Sequence, residues 1–173
     1  MKLKIFFTAF LLSLFIISGC ESSKVHEVQN TNNFSLPKDI PSFVTGKDFE
    51  NIDWNRTVIE FNTSERSDMV GNKDKLGIIG PELKPKEVEK WLWHFWGIDT
   101  GDITVVGYNL NASMISPVLS DGTWSRDGIG GMVNGADASM PSNVSLPEAG
   151  KWAILVYIDG KFFDALVIDV KDE

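Results

Sequence analysis

Residues 152–170, WAILVYIDGKFFDALVIDV, contain two runs rich in β-branched and aromatic residues on either side of Asp159-Gly160. An Asp-Gly pair tolerates the positive φ angles of a type I′ turn, so residues 152–158 and 162–170 are predicted to form an antiparallel hairpin. A longer loop that includes Lys161 fits equally well. It would shift the register by one residue and exchange the two faces of the hairpin.

The residues before this hairpin indicate how it fits into a larger fold. Residues 146–152 read Leu-Pro-Glu-Ala-Gly-Lys-Trp, a turn followed by an aromatic residue that opens a strand. In immunoglobulin-like sandwiches, an aromatic residue near such a corner packs or hydrogen-bonds back over the turn. Further β-like runs, separated by Gly, Pro, Asn and Asp, occupy residues 57–61, 75–79, 88–96, 102–110 and 116–119.

The spacing of these runs predicts the fold class. Turn signals about every ten residues fit a sandwich better than a barrel. We therefore predict an all-β fold, an immunoglobulin-like antiparallel β-sandwich with a C-terminal hairpin. Residues 84–96 come nearest to a helical pattern, but no segment sustains that pattern with caps at both ends, so we expect at most a short helix.

The N-terminus has the three parts of a bacterial export signal. Lys2 and Lys4 supply positive charge, and residues 5–17 form an apolar run too short for a stop-transfer helix. Small residues then precede the single cysteine, Cys20. The pattern is typical of a lipoprotein signal peptide, so residues 1–19 are predicted to be removed and the Cys20 thiol to carry a diacylglycerol. An ordinary secretory signal and an uncleaved anchor helix are the alternatives.

The segment after Cys20 predicts the domain organisation. Residues 20–42 are polar, with few apolar side chains to bury, and are predicted to form a flexible tether. A flexible chain of about twenty residues spans roughly 25 Å. Residues 43–173 then form a single β-sandwich domain at the extracytoplasmic face of the bacterial cell membrane, held there by the lipid.

The charge of the chain excludes one class of partner. The 173 residues include 16 basic and 24 acidic side chains, and loss of the signal peptide would remove two of the lysines. The remaining 14 basic residues give a formal net charge of −10 and form no basic cluster, so nucleic acid is not an expected partner. An acidic surface also disfavours direct contact of the domain with anionic lipid.

The densest aromatic stretch, residues 88–96, is the first candidate binding site. As a strand it places Trp91 and Trp93 on one face, and His94 and Trp96 on the other. Such rings could stack on cell-wall sugars or on a peptide, but aromatic residues at strand spacing are more often core. His94 could titrate near neutral pH, although a buried structural histidine is the commoner case.

Residues 120–139 are the second candidate, because they combine many glycines with oxygen-bearing side chains and are predicted to form a long loop. Four of these side chains are possible calcium ligands: Asp121, Asp127, Asn134 and Asp137. Their spacing does not match the calcium-loop pattern. Asp and Asn residues that cap turns explain the same composition more simply, so calcium is a weak hypothesis.

Enzyme motifs are missing from the sequence. It contains no Gly-x-Ser-x-Gly, His-Glu-x-x-His or phosphate-loop motif, and His94 is the single histidine after residue 42. We therefore predict a binding or interaction module of the cell envelope rather than an enzyme, with no cofactor, and with an envelope protein or cell-wall glycan as partner. The alternatives are a cell-wall hydrolase that uses carboxylates of residues 120–139, and a structural accessory of a membrane complex.

Four motifs, in this order, resemble those of an uncharacterised family of Gram-positive, bacillus-type lipoproteins. They are residues 93–97 (Trp-His-Phe-Trp-Gly), 134–142 (Asn-Gly-Ala-Asp-Ala, then Pro-Ser), 146–152 (Leu-Pro, then Gly-Lys-Trp) and 167–170 (Val-Ile-Asp-Val). The resemblance covers roughly residues 50–171 and implies an immunoglobulin-like β-sandwich of unknown function. In that family, histidine often follows Asn-Gly-Ala-Asp-Ala, where this chain has Ser139, which argues against a histidine-based site in this loop.

Overall fold

The computed structural model describes residues 35–172 of the chain, and these form two antiparallel β-sheets and one short helix. The all-β sandwich predicted from the sequence is thus confirmed. The helix is α1 (Gly46–Glu50), and no helix within the described residues is long and apolar enough to cross a membrane. The strands are β1 (Ile59–Phe61), β2 (Met69–Asn72), β3 (Leu76–Ile79), β4 (Glu89–Phe95), β5 (Gly101–Asn109), β6 (Met114–Pro117), β7 (Ser125–Ile129), β8 (Ala138–Val144), β9 (Gly150–Ile158) and β10 (Lys161–Val170).

The strand order defines two sheets that we name by their edge strands. The β1/β8 sheet has the order β1-β2-β3-β4-β8, and the β10/β6 sheet has the order β10-β9-β5-β6. Strand β7 also pairs with β5, beyond the end of β6. The prediction that residues 120–139 form one long loop is therefore wrong, since this range contains β7 and the start of β8.

The C-terminal hairpin is confirmed with the shorter of the two predicted loops. Lys161 pairs with Ile158, so the turn consists of Asp159 and Gly160, whose φ angles of 49° and 73° are positive as a type I′ turn requires. The corner before β9 is also as predicted. The indole Nε1 of Trp152 donates a hydrogen bond back over the turn to the carbonyl of Glu148, 3.0 Å away.

The main core lies between the two sheets. Alternate residues of β9, among them Trp152, Ile154 and Val156, join side chains of β4 in one buried cluster. Because a fully buried large apolar side chain contributes roughly 1.5–3 kcal/mol, this cluster is the main source of stability. Residues 84–96, which come nearest to a helical pattern in the sequence, form no helix. Most of this range is strand β4, whose side chains point to alternate faces of the sheet.

A second core lies on the outer face of the β10/β6 sheet. Val106, Leu155 and Tyr157 point to this face and are covered by residues 36–54. Leu36 and Ile40 belong to this cover, and Asp39 accepts a hydrogen bond from Trp124 Nε1 at 3.0 Å. Residues 35–42, predicted to belong to the tether, therefore pack on the domain, while residues 20–34 lie outside the described part of the chain.

Both sides of the sandwich are closed by segments that cross from one sheet to the other. At one side, Val58 donates a backbone hydrogen bond to Val167 of β10, and the chain then enters the β1/β8 sheet as β1. At the other side, β6 continues into residues 118–120, which pair with residues 143–145 at the edge of β8. These crossings satisfy backbone groups at sheet edges that would otherwise be free to pair with other chains.

We expect Ile40→Ala to lower the free energy of unfolding by about 1–2 kcal/mol, because the side chain is half-buried in the second core. Urea unfolding followed by tryptophan fluorescence measures the change. Lys38→Ala, at an exposed position of the same segment, is the control and should alter stability by less than about 0.5 kcal/mol. Equal effects of the two substitutions would contradict the packing described for this segment.

Candidate functional site

The structure divides the predicted aromatic site between two faces of β4. Trp91 and Trp93 lie in the main core, where Trp91 Nε1 bonds to the carbonyl of Pro81 and Trp93 Nε1 to the hydroxyl of Ser142. Both indole N–H groups are satisfied internally and both rings are covered. The hypothesis that these two residues form a stacking platform for a ligand is therefore wrong.

His94 points to the outer face of the β1/β8 sheet, yet its side chain is 0% exposed because residues 130–137 cover it. Asn134 Nδ2 lies 2.9 Å from His94 Nε2, and the ring stacks on Trp96. Burial lowers the pKa of His94, with a smaller contribution from the positive charge of Arg66, while the Leu92 carbonyl opposes both. His94 is thus a neutral packing residue, out of reach of a ligand in solution.

Trp96 is the only member of the predicted aromatic site with a partly exposed ring. Its Nε1 donates to the carbonyl of Gly135 at 2.9 Å, and Phe61 packs against it edge to face. Gly77 permits this packing, since a Cβ at that position would lie only 2.9 Å from the Phe61 ring. Trp96 thus helps to hold residues 130–137 in place over His94.

The four possible calcium ligands are not brought together around a common point. Asp121 binds Thr123 and pairs with Arg126 at 2.8 Å, and the Thr123 hydroxyl and N–H hold its pKa below the ordinary value. Asp137 accepts from the backbone N–H of Gly97, and Asn134 contacts His94. Asp127 is exposed on β7, and no group of three or more acidic, His or Cys side chains within residues 35–172 has metal-binding geometry.

A cleft of about 220 Å³ lies at the outer edge of β10, where residues 48–56 pass from the outer face of the sheet toward β1. Its floor is formed by Ala165 and Val167 of β10, and Ile52 adds an apolar wall. The remaining lining residues are polar or aromatic: Asp48, Asn51, Asp53, Arg56, Phe162 and Asp164. A concave surface that combines apolar walls with a few polar groups is typical of a binding site.

An ion pair anchors one end of this cleft. Asp164, whose side chain is only 6% exposed, binds the Arg56 guanidinium through both oxygens, at 3.0 and 3.5 Å. Asn72 of the other sheet donates to Asp164 at 2.8 Å and to the carbonyl of Ala165 at 2.9 Å. The buried carboxylate is therefore fully compensated, and Arg56 is held in a fixed orientation.

The opposite wall carries two further carboxylates, Asp48 and Asp53. Their bonds come from neutral donors: the N–H and hydroxyl of Thr45 for Asp48, and the N–H of Asn55 for Asp53. Neither carboxylate forms a salt bridge with a residue that the structure describes. Buried Tyr157 lies close by, and its pKa is raised by burial and also by the charge of Asp48 and a hydrogen bond to that carboxylate.

An exposed aromatic residue forms the rim of the cleft. Phe162 is 52% exposed and packs edge to face on Tyr157, and Phe43 packs on the same ring in a tilted orientation. Most phenylalanines bury their rings, whereas these two rings are partly exposed to solvent. We call the cleft together with Phe43 and Phe162 the β10 cleft.

The β10 cleft was not predicted from the sequence. Arg56 and Asp164 are separated by 108 positions, and Asn72 and Asp164 by 92. The usable signals were Asp164, an aspartate between apolar residues of a strand, and a phenylalanine near the hairpin turn. Cys20, the predicted lipidation site, lies outside the described residues.

These features define a β-sandwich domain with an external N-terminal cover and a cleft at one sheet edge. The chain belongs to the family described as Domain of unknown function (DUF4871), whose sequence pattern matches residues 43–168. This confirms that the family is an uncharacterised one, as the resemblance of the four motifs implied.

A solved structure shows a similar fold. The crystal structure of a predicted lipoprotein from Bacillus anthracis matches with a TM-score of 0.62 and 20% sequence identity, over 76% of this chain and 96% of that chain. At this identity the similarity establishes the fold. No curated protein sequence matches the chain.

His94 gives the fold a pH dependence whose sign follows from its lowered pKa. The unfolded chain binds a proton near pH 6.5 and the folded chain only at lower pH, so stability falls as the pH drops below about 6.5. The loss reaches at most about 1.4 kcal/mol per pH unit. Urea unfolding between about pH 7.5 and 5.5 measures it.

His94→Gln keeps an amide acceptor near Asn134 and removes the titration. The stability difference between the original protein and this variant should therefore shrink as the pH falls, whereas titration of His26 and of the carboxylates is common to both proteins and cancels. A difference that stays constant from about pH 7.5 to 5.5 would show that His94 is not buried as a neutral group.

Proposed function

We propose that this protein is a lipid-anchored binding module at the extracytoplasmic face of the bacterial cell membrane, and that its ligand binds in the β10 cleft. The observation that carries the proposal is the cleft itself. In it a fixed ion pair, an exposed ring and two carboxylates that pair with no described cation surround an apolar floor. Attachment through Cys20 is supported by the signal-like N-terminus and by the predicted lipoprotein nature of the structurally similar protein.

The rigidity of the cleft supports a binding role. Arg56 and Asp164 are fixed by bonds to both sheets, and Phe162 rests on a buried ring. Groups that are held in place before binding lose little conformational entropy when a ligand arrives.

The corner before β9 supports the proposed relation to immunoglobulin-like domains, since Trp152 forms a hydrogen bond back over this turn.

The environment of the carboxylates in residues 120–139 favours the proposed binding role over the hydrolase alternative. A general acid in a glycosidase needs a raised pKa, whereas hydrogen bonds from Thr123 lower that of Asp121. Asp137 is engaged by the N–H of Gly97. A structural accessory of a membrane complex remains the alternative if the cleft proves to bind a protein partner.

Cys20→Ala tests the membrane part of the proposal. The variant should be released from cells in soluble form with an unchanged fold, because the lipid is the proposed membrane contact. Immunoblotting of membrane and medium fractions measures the release, and tryptophan fluorescence checks the fold. Persistent membrane association of a folded variant would contradict anchoring by lipid alone.

Nuclear magnetic resonance titration tests the binding part. Muropeptides and teichoic acid fragments, added to a ¹⁵N-labelled protein, should shift the amide signals of Ile52, Phe162 and Ala165 if they bind in the β10 cleft. Calcium added separately tests the weak metal hypothesis at Asp121 and Asp127. Shifts confined to the neighbourhood of Trp96 would place the ligand on the opposite sheet and contradict the proposed site.

Phe162→Ala should weaken binding at the cleft by about ten-fold, the usual cost of losing a well-placed aromatic contact of about 1–1.5 kcal/mol. Val88→Ala is the matched control, because Val88 is 58% exposed, comparable to 52% for Phe162, but lies before β4 and away from the cleft. Equal losses in both variants would show that the ring makes no specific contact.

A further inference from the structure

We propose that the β10 cleft receives a lysine-type side chain, a primary ammonium on a short alkyl stem, carried by a peptide or protein partner. This inference rests on the binding role proposed above and specifies the chemistry of the ligand. It follows from the size of the cleft, the sign of its charge and the distribution of polar and apolar groups along its walls.

The size limits the occupant to one long side chain. A cleft of about 220 Å³ holds roughly seven water molecules at about 30 Å³ each, less than the 300–1,000 Å³ typical of sites for drug-sized ligands. A sugar chain or a helix would therefore have to lie over the cleft rather than in it. An extended side chain can enter it and displace this water.

The charge selects a cation. The cleft is lined by three carboxylates and one guanidinium, and the Arg56 guanidinium is already paired with Asp164. Asp48 and Asp53 accept hydrogen bonds from Thr45 and Asn55, and neither is paired with a cationic side chain among residues 35–172. An ammonium group has three donors to offer to these two carboxylates, and a hydrogen bond between ionised groups is stronger than a neutral one.

The apolar part of the cleft fits the stem of the same side chain. Ile52, Ala165 and Val167 provide an apolar path, and the Phe162 ring stands at its rim. Lysine side chains bury their methylene stems on such surfaces while the charged end seeks polar partners. A cation near the face of Phe162 would gain a further electrostatic contribution from the ring.

Three tripeptides that differ in one side chain test the inference: acetyl-Gly-Lys-Gly-amide and its norleucine and glutamate counterparts. Norleucine keeps the alkyl stem and lacks the ammonium. Amide shifts of Ile52, Asp53 and Phe162 report binding to the full-length protein with Cys20→Ala. The lysine peptide should bind about ten-fold more tightly than the norleucine peptide, and its affinity should fall as salt is raised from about 0.05 to 0.5 M.

Two variants assign the effect to the proposed carboxylate. Asp53→Asn should reduce the preference for lysine over norleucine by about five-fold or more, because it removes one charge at constant shape. Asp99→Asn is the matched control, since Asp99 is an exposed acid between β4 and β5 and does not line the cleft. A preference that drops equally in both variants would reflect overall charge and overturn the assignment.

The other outcomes separate this inference from the proposed function. If the norleucine peptide binds as tightly as the lysine peptide and shifts the same amides, the cleft is a binding site but the inferred ammonium recognition is wrong. Tighter binding of the glutamate peptide would identify Arg56 as the recognition group and overturn the inference. If none of the three peptides shifts the cleft amides while a muropeptide or teichoic acid fragment does, the cleft binds a different chemical class.

Discussion

The sheet formed by β10, β9, β5 and β6 is apolar on both faces, and the rest of the fold depends on covering it. Trp152, Ile154 and Val156 point to one face of β9, whereas Leu155 and Tyr157 point to the other. Exposed apolar surface costs about 25 cal/mol for each Å², so a sheet with two such faces needs a layer on each side. The β1/β8 sheet covers one face and residues 36–54 cover the other.

The β10 cleft is a consequence of this requirement. The covering segment lies outside the β10/β6 sheet, but β1, which follows it, belongs to the opposite sheet, so the chain must pass around the edge of β10. Arg56 lies where the chain turns, and its pairing with Asp164 and, through that carboxylate, with Asn72 joins the cover and both sheets. An exposed sheet edge promotes aggregation. Here the covering segment passes over this edge, and a partly polar cleft is formed between them.

The parts of the fold that were predicted correctly are those whose signals are local. Asp159-Gly160 specifies its turn within two residues, and β4 and β5 are rich in aromatic or β-branched residues within their own length. Strand β7 was missed because the sequence Ser-Arg-Asp-Gly-Ile is exposed except for its last residue, so it carries no alternation. Leu36 and Ile40 were assigned to the tether because two apolar residues in a polar segment do not reveal the sheet that receives them.

The candidate site could not be predicted because its residues lie far apart in the sequence, with Arg56 and Asp164 separated by 108 positions.

The two outer surfaces of the sandwich are covered in different ways. The cover over His94 is held by hydrogen bonds from Thr63, Trp96 and Ser139 to the backbone of a glycine-rich segment, with little apolar burial of its own. The cover next to the β10 cleft is held by a second apolar core and a buried ion pair. Segments with few buried apolar contacts open at lower free energy, so we expect the His94 side to be the more mobile of the two. A binding site gains affinity from groups that do not have to be ordered by the ligand, and the more rigid side is the one that carries the cleft.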